Sequence, residues 1–270
     1  MNITTKQYNL ELPTVGSIAL TVNKYGEGRP YLVLHGGGGP QTVQAFANKL
    51  ANEKHVQVLV PIHPGFALTN RPEKLTTIKQ LAELYNKLLD TLNINNVVVI
   101  GNSLGGWIAA EMSLFDSKRV SCIVLVDAVG IDVPEHPVVD FFSLSLEEVA
   151  KHSYYDPLKF AIDPAKLPPA VQAAMPQNRA TLKIYSGGPS MSDPTLKNRL
   201  ASVFMPVLVL WGEGDKIVDQ DYEKAFAKIF SNASFEQLNK TGHMPQIETP
   251  DQLIARIWEF SSSKNVGGSK

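Results

Sequence analysis

The chain reads as an α/β protein: a mostly parallel eight-stranded sheet flanked by helices, with a helical cap inserted into it. Three observations carry that expectation. Apolar strand-like runs alternate with helix-patterned segments from residue 31 to residue 126, and such alternation builds a parallel sheet covered on both faces. A β-branched run, Val97-Val98-Val99-Ile100, meets Gly101-Asn102-Ser103-Leu104-Gly105, and a helical pattern follows at once. A strand, a sharp turn carrying Ser, then a helix is how a nucleophile elbow reads. Finally, the alternation stops over residues 132–204 and resumes at 207.

Taken in order, residues 8–12 and 18–22 read as two strands joined by a Pro-Thr-Val-Gly turn, an antiparallel hairpin. Residues 31–34 are a short apolar run suited to a buried strand, and His35-Gly36-Gly37-Gly38-Gly39-Pro40 follows it. A helix is expected over 43–50 and a strand over 56–61. The best-marked helix covers 77–92: Ile78, Leu81, Ala82, Tyr85, Leu88, Leu89 and Leu92 recur at helical spacing, and Thr77 with Gln80 fits a capping box. The elbow strand (97–100) and its helix (103–115) come next, then a strand over 122–126.

From 132 to 204 no strand is convincing. Prolines recur, Ser145 with Glu148 fits a capping box, and Asp193-Pro194 looks like a helix start. Large apolar side chains crowd this stretch. It is expected to be a cap, 132–204, inserted into a core made of 1–131 and 205–270. The sheet resumes at 207–211, Asp219 caps a helix running to 230, and 234–238 is the last strand. Thr249-Pro250-Asp251-Gln252 has the pattern of a capped final helix with Leu253, Ile254, Ile257, Trp258 and Phe260 on its apolar face. Residues 261–270 read as a polar, Gly/Ser-rich flexible tail.

The bounds from composition are broad. The 270 residues carry a formal net charge of -1, so nothing points to a nucleic-acid surface. The first residues lack the apolar stretch of a signal peptide, and no apolar run is long enough for a bilayer. The single cysteine, Cys122, excludes an internal disulfide, fits a reducing cytoplasm, and belongs to a buried strand as a small core residue.

A serine hydroxyl is a poor nucleophile at neutral pH. It needs a base, a group to orient that base, and N–H donors aimed at the oxyanion that forms. The sequence offers each part at the end of an expected strand, where open parallel sheets place their sites. Ser103 is the nucleophile candidate and His243, in Gly242-His243-Met244-Pro245, the base. Asp215, after Trp211-Gly212-Glu213-Gly214, leads as the acid, with Asp127 its rival; the chain order Ser, acid, His fits both. One oxyanion donor is expected at the N–H of Leu104 and the other at Gly37, with Gly38 the alternative. His35 is expected to shape the glycine loop; His63 lies in a turn within reach of the pocket rim, where by analogy with other strand-end loops a site-lining role is the lesser alternative; His55, His136 and His152 read as surface or cap residues.

These motifs resemble the α/β-hydrolase family over nearly the whole chain: His35-Gly36-Gly37-Gly38, Gly101-Asn102-Ser103-Leu104-Gly105-Gly106, Gly212-Glu213-Gly214-Asp215 and Gly242-His243. The resemblance implies the α/β-hydrolase fold, a Ser103–His243–Asp215 triad, a Gly37 and Leu104 oxyanion hole, and no metal or organic cofactor. The elbow, glycine loop and cap are similar to the branch holding cofactor-free serine esterases and meta-cleavage-product hydrolases. In the latter the loop usually reads Gly-Gly-Gly-Pro-Gly and Trp tends to follow the catalytic His; here Gln41 and Met244 differ. The expected function is therefore hydrolysis of a small-molecule acyl substrate, a carboxylic ester first. Carbon–carbon bond hydrolysis and a slow-turnover ligand receptor on the same fold are the alternatives. Phe141, Phe142 and Tyr154 of the cap are expected to contact substrate; Arg179, Lys183 and Arg199 have no place fixed by sequence.

Overall fold

The computed structural model describes residues 3–115 and 117–264. Nine residues of strand β1 (Thr4–Leu12) pair antiparallel with β2 (Gly16–Tyr25), and both strands run longer than the apolar alternation alone indicates. β3 (Pro30–Leu34) leads through the glycine loop into α1 (Gln41–Lys54), followed by β4 (Gln57–Pro61) and α2 (Ile78–Leu92). The Thr77–Gln80 capping box at the start of α2 is formed in both directions. β5 (Val97–Asn102), α3 (Leu104–Met112) and β6 (Val120–Val126) complete the first half.

After β6 the chain leaves the sheet. It makes β7 (Gly130–Ile131), α4 (Leu146–Ser153), α5 (Pro157–Phe160), α6 (Pro169–Tyr185), β8 (Ser192–Asp193) and α7 (Leu196–Leu200). It returns as β9 (Val207–Gly212), α8 (Gln220–Ala227), β10 (Ala233–Leu238), α9 (Pro245–Glu248) and α10 (Pro250–Ser263). The large sheet has the order β1-β2-β4-β3-β5-β6-β9-β10; the β1–β2 and β2–β4 pairs are antiparallel and the rest parallel. β6 and β9 are direct neighbours, so residues 127–206 are an excursion from the sheet.

The strand period of two sorts side chains onto the two faces. Val97, Val99, Ile123 and Leu125 pack with α2 and α3, whereas Val98, Ile100, Cys122 and Val124 pack with α1 and α10. Cys122 is wholly buried, and burial pushes its thiol up in pKa, as suits a core residue. Among the described residues no helix is long and apolar enough to cross a membrane.

Several local expectations are corrected. The excursion does contain a strand: β8 pairs with β7, and two-residue strands are too short to show a period. Asp193 sits in β8, and its carboxylate accepts the N–H of Thr195, so the helix starts two residues later than expected. No capping box forms at Thr249. Gln252 instead exchanges two hydrogen bonds with the Asn239 backbone, and Thr249 bonds the Thr241 hydroxyl. Ser261 belongs to α10 and is fully buried, bonding the Tyr31 hydroxyl and accepting from Arg29. The expected tail beyond residue 264 lies outside the described residues, and α8 ends at Ala227, short of 230.

Candidate active site

The elbow is held by two close backbone approaches. A Cβ on Gly101 would stand 2.1 Å from the carbonyl oxygen of Gly105, and one on Gly105 would stand 2.1 Å from that of Leu34. Between them Ser103 takes φ 54° and ψ -117°, a conformation that L-residues rarely adopt and that surrounding structure must enforce. The N–H of Ser103 donates to Val126 of the neighbouring strand. Leu104 opens α3, so its N–H has no carbonyl within the helix to bond.

Asp215 and His243 stand at the ends of β9 and β10. The His243 Nδ1 is 2.7 Å from Asp215 Oδ2, with side-chain exposures of 7% and 1%. The other carboxylate oxygen, Oδ1, accepts the N–H groups of Ile217 and Val218 at 2.8 and 3.4 Å. A proton on Nδ1 facing a carboxylate leaves Nε2 as the basic nitrogen. Asp127 is not on the imidazole: its Oδ1 accepts the N–H of Gly212 at 2.8 Å. Burial, with Asp215 beside it, pushes its carboxyl well above the ordinary range. Asp219 caps α8 as expected and also pairs with His136.

Three residues, Asn102, Ser153 and Glu248, make positioning contacts that the sequence does not signal. The Asn102 side chain donates to the carbonyl of His243 at 3.3 Å and accepts from Gln246. Ser153, the last residue of α4, accepts the N–H of His243 at 2.8 Å. Glu248 accepts the N–H groups of Gly242, Tyr155 and Asp156. Apart from Gly242, six residues from Glu248, each partner lies far away along the chain, and no local motif announces it.

The glycine loop is underpinned by two buried histidines. His35 and His63 stack with ring centroids 3.7 Å apart. His35 Nδ1 donates to Gly36 O and its Nε2 accepts from the His63 N–H; His63 Nε2 donates to His35 O and its Nδ1 accepts from the Tyr85 hydroxyl. Burial lowers the His35 pKa to about 4, and burial together with His35 lowers that of His63 well below its usual value, so both are neutral. His35 shapes the loop as expected. His63 does not reach the pocket rim; its ring is turned beneath the loop.

Above Ser103 is a cavity of about 510 Å³. Gly36, Gly37, Gly38, Asn102, Ser103 and His243 form its floor, and Phe141, Val149, Tyr154, Leu167, Val171 and Met175, all from the 127–206 excursion, line it as well. Phe142 is outside it, contrary to expectation, packed edge-on against Phe141 under the Arg179 guanidinium. Arg179 donates to the carbonyls of Phe141, Phe142 and Leu144, Arg199 pairs with Glu111 and Asp193, and Lys183 is exposed. Among the described residues no lysine or arginine lines the cavity.

A sequence model of the Alpha/beta hydrolase family matches residues 31–256. A 2-hydroxy-6-oxo-6-(2'-aminophenyl)hexa-2,4-dienoic acid hydrolase of Metapseudomonas resinovorans is 25% identical over 92% of this chain and 89% of its own length. Lipase 1 of Psychrobacter immobilis is 25% identical over 87% of this chain and 77% of its own. Among solved structures, a thermophilic esterase from Thermogutta terrifontis superposes with a TM-score of 0.76 at 22% identity, covering 97% of this chain and 100% of that one. A meta-cleavage product hydrolase from Pseudomonas fluorescens IP01 gives 0.74 at 20%, covering 96% and 98%.

Proposed function

Since the chain belongs to the Alpha/beta hydrolase family, we propose that it is a serine hydrolase of uncharged small to medium acyl substrates, carboxylic esters first. Residues 132–204 act as the cap of a core made of 1–131 and 205–270. The observation that carries the reading is the buried Asp215–His243 pair opening, with Ser103, onto one apolar cavity.

Ser103 Oγ attacks the substrate carbonyl while His243 Nε2 takes its proton. Asp215 holds the tautomer and stabilises the imidazolium that forms. The N–H groups of Leu104 and Gly37 receive the oxyanion, each worth ~2.7–4 kcal/mol in the transition state. His243 returns the proton to the leaving alcohol, and water releases the acyl group by the same steps in reverse.

The cavity wall favours esters over carbon–carbon substrates. A dienoic acid carries a carboxylate, and a buried carboxylate requires a cation or a dense set of donors. Gln41, Thr42 and Gln44 supply neutral polar groups, and no lysine or arginine joins them among the described residues.

A fluorophosphonate probe tests the reading. Ser103 is labelled, and His243→Ala abolishes labelling; labelling that survives the substitution, or none in the unaltered protein, overturns it. A series of p-nitrophenyl esters of rising chain length, run beside a vinylogous diketone acid, shows turnover of the esters only. Preference for the acid reverses the substrate assignment, and turnover well below one per minute with retained product marks a receptor.

A further inference from the structure

Asp127 has no part in the triad proposed above, yet everything about its position is unusual. It is wholly buried, at the end of β6, with φ 45°. A non-glycine residue in that region is held there by its surroundings at some cost. Its N–H continues the sheet ladder to Leu210, and its Oδ1 accepts the N–H of Gly212, three residues before Asp215. Its second oxygen, Oδ2, is buried and has no donor facing it.

Two carboxyl groups and an imidazole stand around it. Asp215 comes from the loop after β9, Glu223 from α8 and His243 from the loop after β10. A ligating atom from each of Asp127, Asp215 and His243 lies within 4.8 Å of the other two. Two carboxylates this close in a dry site do not both ionise. Asp215 has three donors: two backbone N–H groups and the imidazole. Asp127 has one. The charge therefore settles on Asp215 and the proton on Asp127.

We propose that Asp127 is a neutral carboxylic acid that donates a hydrogen bond to the Asp215 carboxylate, making it a positioning residue for the acid–base pair. The proposal rests on the triad reading for its consequence, but not for its protonation state. A donor behind the carboxylate fixes its plane toward His243 Nδ1 and completes its hydrogen bonding without adding negative charge beside the imidazole. The bond to Gly212 ties the same group to the strand that delivers Asp215. No proton leaves Asp127 during turnover.

The experiment compares the unaltered protein with Asp127→Asn and Asp127→Ala. Difference infrared spectra at neutral pH, with isotope-labelled aspartate to exclude Glu223, show a protonated carboxyl band that Asp127→Asn removes. Asparagine keeps both bonds, accepting from Gly212 and donating to Asp215. Asp127→Asn therefore rescues turnover, and the acid limb of its kcat/KM profile keeps its midpoint. Asp127→Ala lowers kcat by ~10-fold with KM little changed. A missing band overturns the proposal. So does an acid limb in Asp127→Asn displaced by about one pH unit or more, the signature of a lost negative charge. Unchanged kcat in Asp127→Ala overturns the positioning role. If Asp127→Ala prevents folding, the band and the Asp127→Asn profile still decide. If Ser103 proves unreactive, the triad reading falls while the infrared band persists, so the two failures are distinct.

Discussion

The backbone N–H of His243 donates to the carbonyl of Ser153 at 2.8 Å. One residue belongs to the loop after β10 and the other ends α4 of the excursion, so the proposed base is seated on the proposed cap. A second contact ties the loop after β9 to the same helix: the N–H of Lys216, next to Asp215, donates to the carbonyl of His152. The packing leaves little slack. A Cβ on Gly242 would stand 2.5 Å from the Ser153 carbonyl oxygen, and one on Gly214 would meet the Tyr155 ring at 2.6 Å. Residues 152–156 are thus part of the scaffold that aims the imidazole.

Glu248 locks that arrangement, taking one N–H from Gly242 and two from Tyr155 and Asp156. Glu248→Ala should leave those donors unmet and let the His243 loop drift. Small misplacements cost far more in rate than in binding, so kcat is expected to fall by ~10–100-fold with a smaller change in KM. Glu248→Gln retains one acceptor oxygen and should lie between. Steady-state kinetics on a p-nitrophenyl ester checks this; equal losses in both variants would argue against the brace.

How much of this was legible depended on range. The elbow declared itself because its steric demands are local: Gly101, Ser103 and Gly105 must lie together in sequence. The capping boxes at Thr77 and Ser145 formed as read because every partner sits within one turn. At Thr249 the same pattern failed because Asn239, outside the helix, claimed the Gln252 amide. Ser261 looked like tail because its neighbours are polar, yet its partners Tyr31 and Arg29 come from the far end of the chain. The turn at His63 lies at a strand end, and only the packing against His35 and Tyr85 fixes which way its ring turns. Asn102, Ser153 and Glu248 gave no signal, since a positioning contact between distant loops has no spacing to read.

The two glycines of the elbow should differ sharply from an ordinary turn glycine. Gly101→Ala forces a methyl to within 2.1 Å of a backbone oxygen that cannot step aside, a case of overpacking against backbone. It is expected to cost ~3 kcal/mol or more. Gly16→Ala meets nothing within 4 Å and suffers only from its φ of +98°, worth ~1–2 kcal/mol. Urea denaturation of both variants checks the ranking; a Gly101 variant as stable as the Gly16 variant would contradict the close approach of β5 and α3.

Arg199 joins the excursion to the elbow helix. Its two terminal nitrogens grip Glu111 of α3 at 2.6 and 2.7 Å, and one also reaches Asp193 at 2.7 Å. Glu111 is nearly buried, at 4% side-chain exposure, while Arg199 is at 34%. Removing the arginine strands a buried carboxylate, so Arg199→Ala should lose ~2–3 kcal/mol. Arg199→Lys should recover only part, because an ammonium cannot make the two-pronged contact. Adding Glu111→Gln to Arg199→Ala should restore much of the loss, and a double-mutant cycle in urea measures the coupling.

Glu223 gives the clearest pH signature. Its Oε1 accepts from Gln237 while its Oε2 is buried without a partner. Burial, with Asp215 nearby, raises its pKa from 4.5 to about 7. Between those values the folded chain holds a proton that the unfolded chain has released. Stability from this group is therefore complete below pH ~4.5 and is lost as pH rises through ~7. Glu223→Gln keeps an acceptor for Gln237 and cannot ionise. At pH 8 it should be more stable than the unaltered protein by ~1–2 kcal/mol, a Tm gain of ~3–6 °C. At pH 5, just above the unfolded value, the difference should shrink to roughly a quarter of that. The histidine pair acts in the opposite sense: His35, with its pKa lowered to about 4, binds its proton more readily when unfolded and removes stability as pH falls from ~6.5 toward 4. Calorimetric scans of both proteins from pH 5 to pH 8 separate the two, because only the carboxyl contribution disappears in the variant; a gain of equal size at both ends would show that Glu223 carries no buried proton.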